Sequence, residues 1–472
     1  MSYDAVLNTQ RGLIVAPAGC GKTQLIIDTL NIAQTKPYLV LTHTTAGVAA
    51  LKQRLKRLGV PPKNYVVTTL DGWALRLAKF FPTLCPITTT IEQPKFFYPE
   101  LRKAVGELLR SGNINDIIHS SYSKLLVDEY QDCDLNQHSI IKLLSDILPT
   151  VIFGDPMQCI FNFRGIVMPV WTQDVEAYFP TILTLNTPWR WNNAGAPSLG
   201  LWILECRKAL ANREKIDLSS CPKFVNFQNI TGVATSDTQI QQNAHYNLMQ
   251  KYPNESALIL GDSARPASRH AYAQHVNGLD VVEPVDLNDV TRAANDFDKM
   301  QGLVLVQSIL ATAASMMTNV DTASTLKRIS TIQAGRNRTP PTLVEHTLCL
   351  LIQNKSSRGI LDAFLQLEAK PGSRIYRQAA FNALKDAIEM SSSSLEMSIF
   401  DAATKVRELR RHAGDKRISK RAIGSTLLLK GLECDHVIIL DADAMNAQHL
   451  YVALSRGAKS ITVFARKKLV GN

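Results

Sequence analysis

The stretch "APAGCGKT", residues 16–23, carries the residue types needed to hold a chain of phosphates. The general phosphate-loop pattern is G-x-x-x-x-G-K-[ST], here with Ala16 in the first place and Gly21, Lys22 and Thr23 at the end. In such a loop the residues Ala16, Pro17, Ala18, Gly19, Cys20, Gly21 and the Lys22–Gln24 turn surround the anion at a helix N-terminus, and all of them but Pro17 have a backbone N–H to offer it. Lys22 reaches the β and γ oxygens, and the Thr23 hydroxyl is a ligand for Mg²⁺. A metal held this way needs a carboxylate, and "SKLLVDEYQDCD" supplies one: an apolar run, Leu125 to Val127, ending in Asp128 and Glu129. Asp128 is expected to hold Mg²⁺ through water, and Glu129 to orient and deprotonate an attacking water.

The flanking elements suit that chemistry. "RGLIVA" ahead of the loop reads as a buried strand, and "TQLIIDTLNIAQ" behind it has helical apolar spacing at Leu25, Ile26, Leu30 and Ile32. "PYLVLT", "LLVDE", "TVIFGD" and "HVIILDA" are short apolar runs ending in polar residues, which is how parallel strands read when their C-terminal ends carry a site. The fold class expected is α/β. A chain of 472 residues exceeds one hydrophobic core, so two or more domains are expected. Eight cysteines without a C-x-x-C pair argue against a zinc site or a secreted disulfide framework. There is no apolar run of membrane-spanning length and no signal peptide, so no membrane partner and a cytoplasmic location are expected. The net charge of +11 suits a polyanionic partner.

With the two loops placed, the order of further segments resembles the UvrD/Rep family of superfamily 1 DNA helicases. "LTHTTAGVAALKQRL" (41–55) is similar to motif Ia, "TTLDGWALRL" (68–77) to Ib, "VDEYQD" to II and "FGDPMQCIFNFRG" (153–165) to III. "LNTPWRW" (185–191) is similar to IV, "STLLLKGLECDHVII" (425–439) to V and "LYVALSRGAKSITVF" (450–464) to VI. The resemblance implies two RecA-like P-loop domains with ATP between them: residues 1–183 with a reduced 1B insertion at about 80–124, then 184–285, a mostly helical 2B-like insertion at 286–422, and 423–472.

Residue by residue, it assigns Gln158 to sensing the γ-phosphate, Arg190 and Arg456 to reaching it from the second domain, Trp189 to stacking on adenine, and Glu433 to the ribose. Thr42, His43, Thr44 and Thr69, with the motif III residues Phe161, Phe163 and Arg164 and the motif V residue Thr426 beside Lys430, fall on a single-stranded DNA track. Two departures stand out: "LNTQRG" runs straight into the first strand, which puts Gln10 in doubt as an adenine reader, and Leu427, Leu428 and Leu429 replace polar residues of motif V.

The activity implied is ATP hydrolysis with Mg²⁺, driving 3′→5′ movement on single-stranded DNA. The alternative is a DNA-binding ATPase subunit that regulates a partner nuclease on DNA ends without processive unwinding. The short 80–124 segment and altered motif V favour it, and the chain's end soon after motif VI means that any cutting is expected from a separate protein. Small relatives of this kind occur in Gabija-type bacterial antiphage systems beside nuclease-ATPase proteins.

Overall fold

The structure, a computed structural model, describes residues 3–471 except Glu92, residues 162–164, Leu395 and residues 414–418; the side chains of Ala234 and residues 411–413 are also outside the description. The chain forms two compact units. The first comprises Met1–Asn226, Met445–Ser460 and Lys467–Asn472, and the second Phe227–Ala444 and Ile461–Arg466. Residues 184–226 and 445–460, expected with the second RecA-like domain, therefore group with the N-terminal half.

The first unit is built on strands β1 (Arg11–Val15), β2 (Tyr38–Thr42), β3 (Tyr65–Thr69), β4 (Leu125–Val127), β5 (Thr150–Gly154) and β6 (Thr181–Thr184), in the order β3-β2-β4-β5-β1-β6 and parallel throughout. The inner strands β1, β2, β4 and β5 are buried almost end to end, leaving little room for alternation, whereas the outer strands β3 and β6 are partly exposed. The loop strand β1 and the acid-bearing strand β4 are not neighbours, since β5 lies between them. In a parallel sheet every strand delivers its C-terminal end to one edge, so the segments after β1, β4 and β5 meet there.

Within the 80–124 stretch, helices Pro94–Arg110 and Asn115–Ser121 form. The first is amphipathic, and Phe97, Leu101, Val105, Leu108 and Leu109 join the core under the sheet. Arg102 pins it, pairing with both oxygens of Asp71 (2.7 Å each) and with Asp134 (2.5 Å). This stretch is thus part of the first core. A short strand, β7 (Ile216–Asp217), closes the N-terminal part of the unit.

The second unit carries β8 (Val225–Asn229), β9 (Ala257–Leu260), β10 (Asp280–Val281), β11 (Arg421–Gly424), β12 (Cys434–Ile439) and β13 (Gly457–Ala465), in the order β10-β11-β9-β12-β13-β8. The β10–β11, β11–β9 and β12–β9 pairings are parallel. Between β10 and β11 lies a run of helices from Asn288 to Ala413 with its own core, including Phe297, Leu305, Ile309, Phe364, Phe381 and Ile388. The α/β architecture with two sheets and a helical insertion is therefore as the sequence led us to expect. The chain ends on β14 (Leu469–Val470), antiparallel to β7.

Candidate functional site

The phosphate-loop segment leaves β1 and enters a helix at Lys22 (Lys22–Leu30) through Gly21, which sits at φ 92° where a side chain would be strained. Gly19, at φ 71°, has a second constraint: a Cβ there would lie 2.7 Å from the Trp191 ring and 2.9 Å from the Arg190 Cβ. The segment after β6 thus packs directly on the loop. The Arg190 N–H donates to the Gly19 carbonyl (3.1 Å), and the Trp191 indole N–H donates to the Gly457 carbonyl (2.8 Å).

Lys22 ion-pairs with Asp128 (2.9 Å) and with Glu129. Burial opposes charge on the ammonium, but the two carboxylates outweigh it and hold Lys22 above the ordinary lysine range. Burial raises the Asp128 carboxyl, and the Lys22 charge works against that rise. Glu129 occupies the left-handed region (φ 54°, ψ 43°), a conformation costing a non-glycine residue roughly 1–2 kcal/mol. Its backbone is secured on both sides, with its N–H donating to Asp128 Oδ1 (3.0 Å) and its carbonyl accepting from the Asp132 N–H (3.0 Å). The fold therefore holds Glu129 in a strained turn that brings its carboxylate to Lys22. Thr23 lies in the first helical turn after Lys22; its hydroxyl and the Asp128 carboxylate are the hard oxygen donors Mg²⁺ prefers, so the residues fit that ion.

A hydrogen-bonded relay runs from this cluster. Gln131 Nε2 donates to Glu129 Oε2 (2.5 Å), and its Oε1 accepts the Asp155 N–H (3.1 Å). The Asp155 carboxylate, fully buried, accepts from the Met157 N–H (3.1 Å), from Gln158 Nε2 (3.1 Å) and from Arg207, whose Nη2 lies 2.7 Å away. Gly154 makes room for this, since a Cβ there would meet Trp171 at 2.8 Å and Gln131 Oε1 at 3.1 Å. The buried Tyr451 hydroxyl accepts the Ala18 N–H (2.9 Å), and burial, with Asp155 nearby, pushes its phenol far above the usual range. Burial first, then Asp155, raises the Cys20 thiol to about 12.

Arg190 and Arg456 both belong to the first unit. Arg190 donates to the Ser455 carbonyl, and Arg456, buried, donates through Nε to the Val452 carbonyl (2.9 Å) and through Nη2 to Ser455 Oγ (2.9 Å). Trp189 leaves 41% of its surface exposed, with a face free to stack. Gln24 is drawn to Asp28 (2.7 Å) and Arg54 (3.3 Å), on the flank of the helix.

On the same edge, Thr42 and Thr69 are register partners at the ends of β2 and β3. The Thr44 and Thr69 hydroxyls accept the Gly47 and Gly72 N–H groups (3.0 Å each), so both cap helices; Thr42 is buried. His43 and Phe161 form a tilted ring pair with centroids 5.5 Å apart, joining the segment after β2 to the one after β5. Phe163 and Arg164 lie outside the described residues. In the second unit Glu433 is exposed, whereas Thr426 is fully buried with its hydroxyl 3.3 Å from Ser263 Oγ, so it presents no surface to a strand. Nearby, Leu429, one of the three leucines replacing polar residues, is buried and fills the space beside Gly424.

Sequence reasoning missed Gln131, Asp155, Trp191, Arg207 and Tyr451. Asp155 had a signal, an acid at the end of an apolar strand like Asp128. Arg207 and Tyr451 had none, being a basic residue on an amphipathic helix and an aromatic in an apolar run.

Residues 88–176 match the UvrD/REP helicase N-terminal domain. Over 189 residues the chain is 26% identical to the Gabija protein GajB of Bacillus cereus (strain VD045), covering 32% of this chain and 38% of that protein. The match thus spans well under half the length of that relative. A solved arterivirus nonstructural protein 10 (helicase) with DNA aligns over 98% of this chain and 62% of its own, at TM-score 0.35 and 9% identity, a likeness too distant to argue from. No helix among the described residues is long and apolar enough to cross a membrane. The matched segment contains Asp128, Glu129, Asp155 and Gln158, so these residues lie in the part of the chain that is similar to the UvrD/REP helicase N-terminal domain.

Proposed function

We propose that the chain is a cytoplasmic, DNA-stimulated ATPase that uses ATP hydrolysis to move 3′→5′ along single-stranded DNA. The observation that carries this reading is the Lys22 ammonium seated between Asp128 and Glu129 at the C-terminal edge of the first sheet. When ATP enters, Lys22 exchanges its carboxylate partners for phosphate oxygens, releasing Glu129 to take a proton from water. Thr23 and Asp128 would hold Mg²⁺, which when bound would neutralise charge at the phosphates. Gln158, anchored by the buried Asp155, reads the γ-phosphate; Arg190 and Arg456 stabilise charge on the transferring group; Trp189 takes the adenine face and Glu433 the ribose. His43 and Phe161, with Thr42, Thr44 and Thr69, line the strand's path, Phe163 and Arg164 are assigned to it from their motif, and the charge of +11 favours the phosphate backbone.

Two RecA-like domains divided as 1–183 and 184–285 with 423–472, interrupted by the 286–422 insertion, remain part of this reading. One observation favours the second reading, an ATPase subunit acting on DNA ends beside a partner nuclease: one face of the helix Pro94–Arg110 and the motif V residue Leu429 are packed into protein cores, which leaves less of them to grip DNA.

The test is the ATPase rate of wild type and Lys22→Ala with and without single-stranded DNA, beside strand displacement from each overhang. We expect DNA to stimulate wild-type hydrolysis, Lys22→Ala to be inactive while folded, and displacement only from a 3′ overhang. Wild-type turnover in Lys22→Ala would overturn the ATP site, and DNA-stimulated hydrolysis without displacement would select the second reading.

A further inference from the structure

The helix Ala447–Leu454 belongs to the first unit and meets three parts of the candidate site. It packs on the turn Pro156–Gln158, which carries the proposed phosphate sensor, and on the helix Pro197–Ala211. Its C-terminal end holds both arginines: the Ser455 carbonyl accepts from Arg190, and Arg456 is folded back onto the Val452 carbonyl and Ser455 Oγ (2.9 Å each). Its middle is tied to the phosphate loop by one side chain, Tyr451, whose hydroxyl accepts the Ala18 N–H (2.9 Å).

Both partners of that bond are buried, so water does not take the place of the hydroxyl oxygen when it is withdrawn. A buried N–H without an acceptor is costly, and the loop would have to shift to satisfy it. The loop is constrained on its other side as well. A Cβ at Gly19 would lie 2.9 Å from the Arg190 Cβ, and the Arg190 N–H donates to the Gly19 carbonyl (3.1 Å). The residue after Ala18 thus touches the arginine whose guanidinium is held at the end of the Tyr451 helix, and loop, arginine and helix close a ring of contacts. Burial, and secondarily the Asp155 charge, keep the phenol protonated, so the bond does not change with pH in the working range.

We propose that Tyr451 is a positioning residue for Arg190 and Arg456: it keys the helix that holds them to the phosphate loop and so sets how far both guanidinium groups stand from the transferring phosphoryl group. It acts through the helix and not by touching nucleotide. The inference rests on the ATPase reading of the loop and adds to it what fixes the reach of the arginines.

The test is Tyr451→Phe in the full chain, which keeps the ring and removes only the oxygen. Steady-state ATPase rates should show kcat lower by at least about tenfold with KM within about twofold of wild type, since a small misplacement of the arginines acts on the transition state and not on nucleotide binding. Equilibrium binding reads the same split without turnover. ADP affinity should be unchanged, whereas ADP with aluminium fluoride, which stands in for the transferring phosphoryl group, should bind at least about tenfold more weakly than it does to wild type. A tyrosine that only fills the core would lower the melting temperature and leave both comparisons as they are. The wild type gives a reading that needs no variant: ADP, which fills the loop but presents no γ-phosphate to the arginines, should slow amide exchange across Ala447–Leu454 by at least about threefold relative to the nucleotide-free chain. The proposal is overturned by wild-type kcat in Tyr451→Phe, by equal weakening of ADP and its aluminium fluoride complex, or by unchanged exchange. Should the wild type hydrolyse no ATP, the ATPase reading fails, while the exchange measurement still decides whether loop and helix are coupled.

Discussion

Replacing Arg207 by Leu tests whether the relay behind Gln158 is held by charge. Arg207 donates from Nε to both Asp155 oxygens (3.1 Å each) and from Nη2 to Oδ1 (2.7 Å). The Asp155 side chain has no exposed surface, and that of Arg207 has 18%. Removing one partner of a buried pair strands the other charge, at a cost of ~3–5 kcal/mol. Here two donors remain on Asp155, the Met157 N–H and Gln158 Nε2, and the partial exposure of Arg207 admits water, so the lower end applies. We expect a loss of about 3 kcal/mol, a drop in melting temperature of roughly 6–12 °C for a unit of this size. The control is Asp155→Asn combined with Arg207→Leu. With no carboxylate left unpaired, the double variant should be more stable than Arg207→Leu alone by at least ~1 kcal/mol, a non-additivity that neighbours in one network produce. It should still hydrolyse ATP poorly, because an amide at 155 cannot hold Gln158 Nε2 with a charged acceptor. Urea denaturation and steady-state ATPase rates read both effects. The reasoning fails if Arg207→Leu unfolds within ~0.5 kcal/mol of wild type, or if the two substitutions add.

Three further outcomes are expected. Glu129→Gln should bind ATP with Mg²⁺ yet hydrolyse it orders of magnitude more slowly, since its amide oxygen can still accept from Gln131 Nε2 but the amide cannot take the water's proton. Stopped-flow nucleotide binding beside turnover checks this, and lost binding would move Glu129 from the water to the metal. Phe161→Ala should weaken single-stranded DNA binding by ~1–3 kcal/mol at fixed salt, read by fluorescence anisotropy, with basal ATPase little changed; unchanged affinity would return the His43–Phe161 pair to simple packing. Acid should destabilise the second unit: His245 and His270 are both held by burial near pKa 4, so between pH 6.5 and 4 the unfolded chain binds protons that the folded chain refuses, and stability falls as pH falls. His245→Phe should remove up to about 3 kcal/mol of that loss across this window, as denaturation at pH 7 and pH 4.5 would show, and an unchanged pH dependence would refute it.

The parts legible in the sequence were those where one local pattern does one job. Strand, glycine loop and helix around Lys22, and the apolar run ending at Asp128, are set by neighbours in sequence, and the α/β class follows from them. What escaped were residues whose role comes from tertiary proximity. Tyr451 reaches Ala18 across 433 positions, and Arg207 reaches Asp155 across 52. Nothing local separates such a tyrosine from a core residue, or such an arginine from a solvated one. Thr426 shows the reverse failure: a family motif named it for DNA, but its side chain is fully buried, with its hydroxyl near that of Ser263.

The strand order gives a physical reason for expecting nucleotide and strand to influence one another within the first unit. Because β5 lies between β1 and β4, Asp155 leaves the sheet between the Lys22 turn and the Asp128–Glu129 turn, and it bonds toward Glu129 through Gln131. The chain that leaves Asp155 carries Gln158 and then Phe161, whose ring meets His43 after β2. Under the proposed reading, only the five residues 156–160 therefore separate the anchor of the phosphate sensor from the first base-stacking ring. A shift at either end is passed through one short, buried segment and needs no long path of side chains. This places the mechanical link at Asp155, and it is why removing Arg207, which touches neither phosphate nor base in this assignment, should reduce DNA stimulation more than basal hydrolysis.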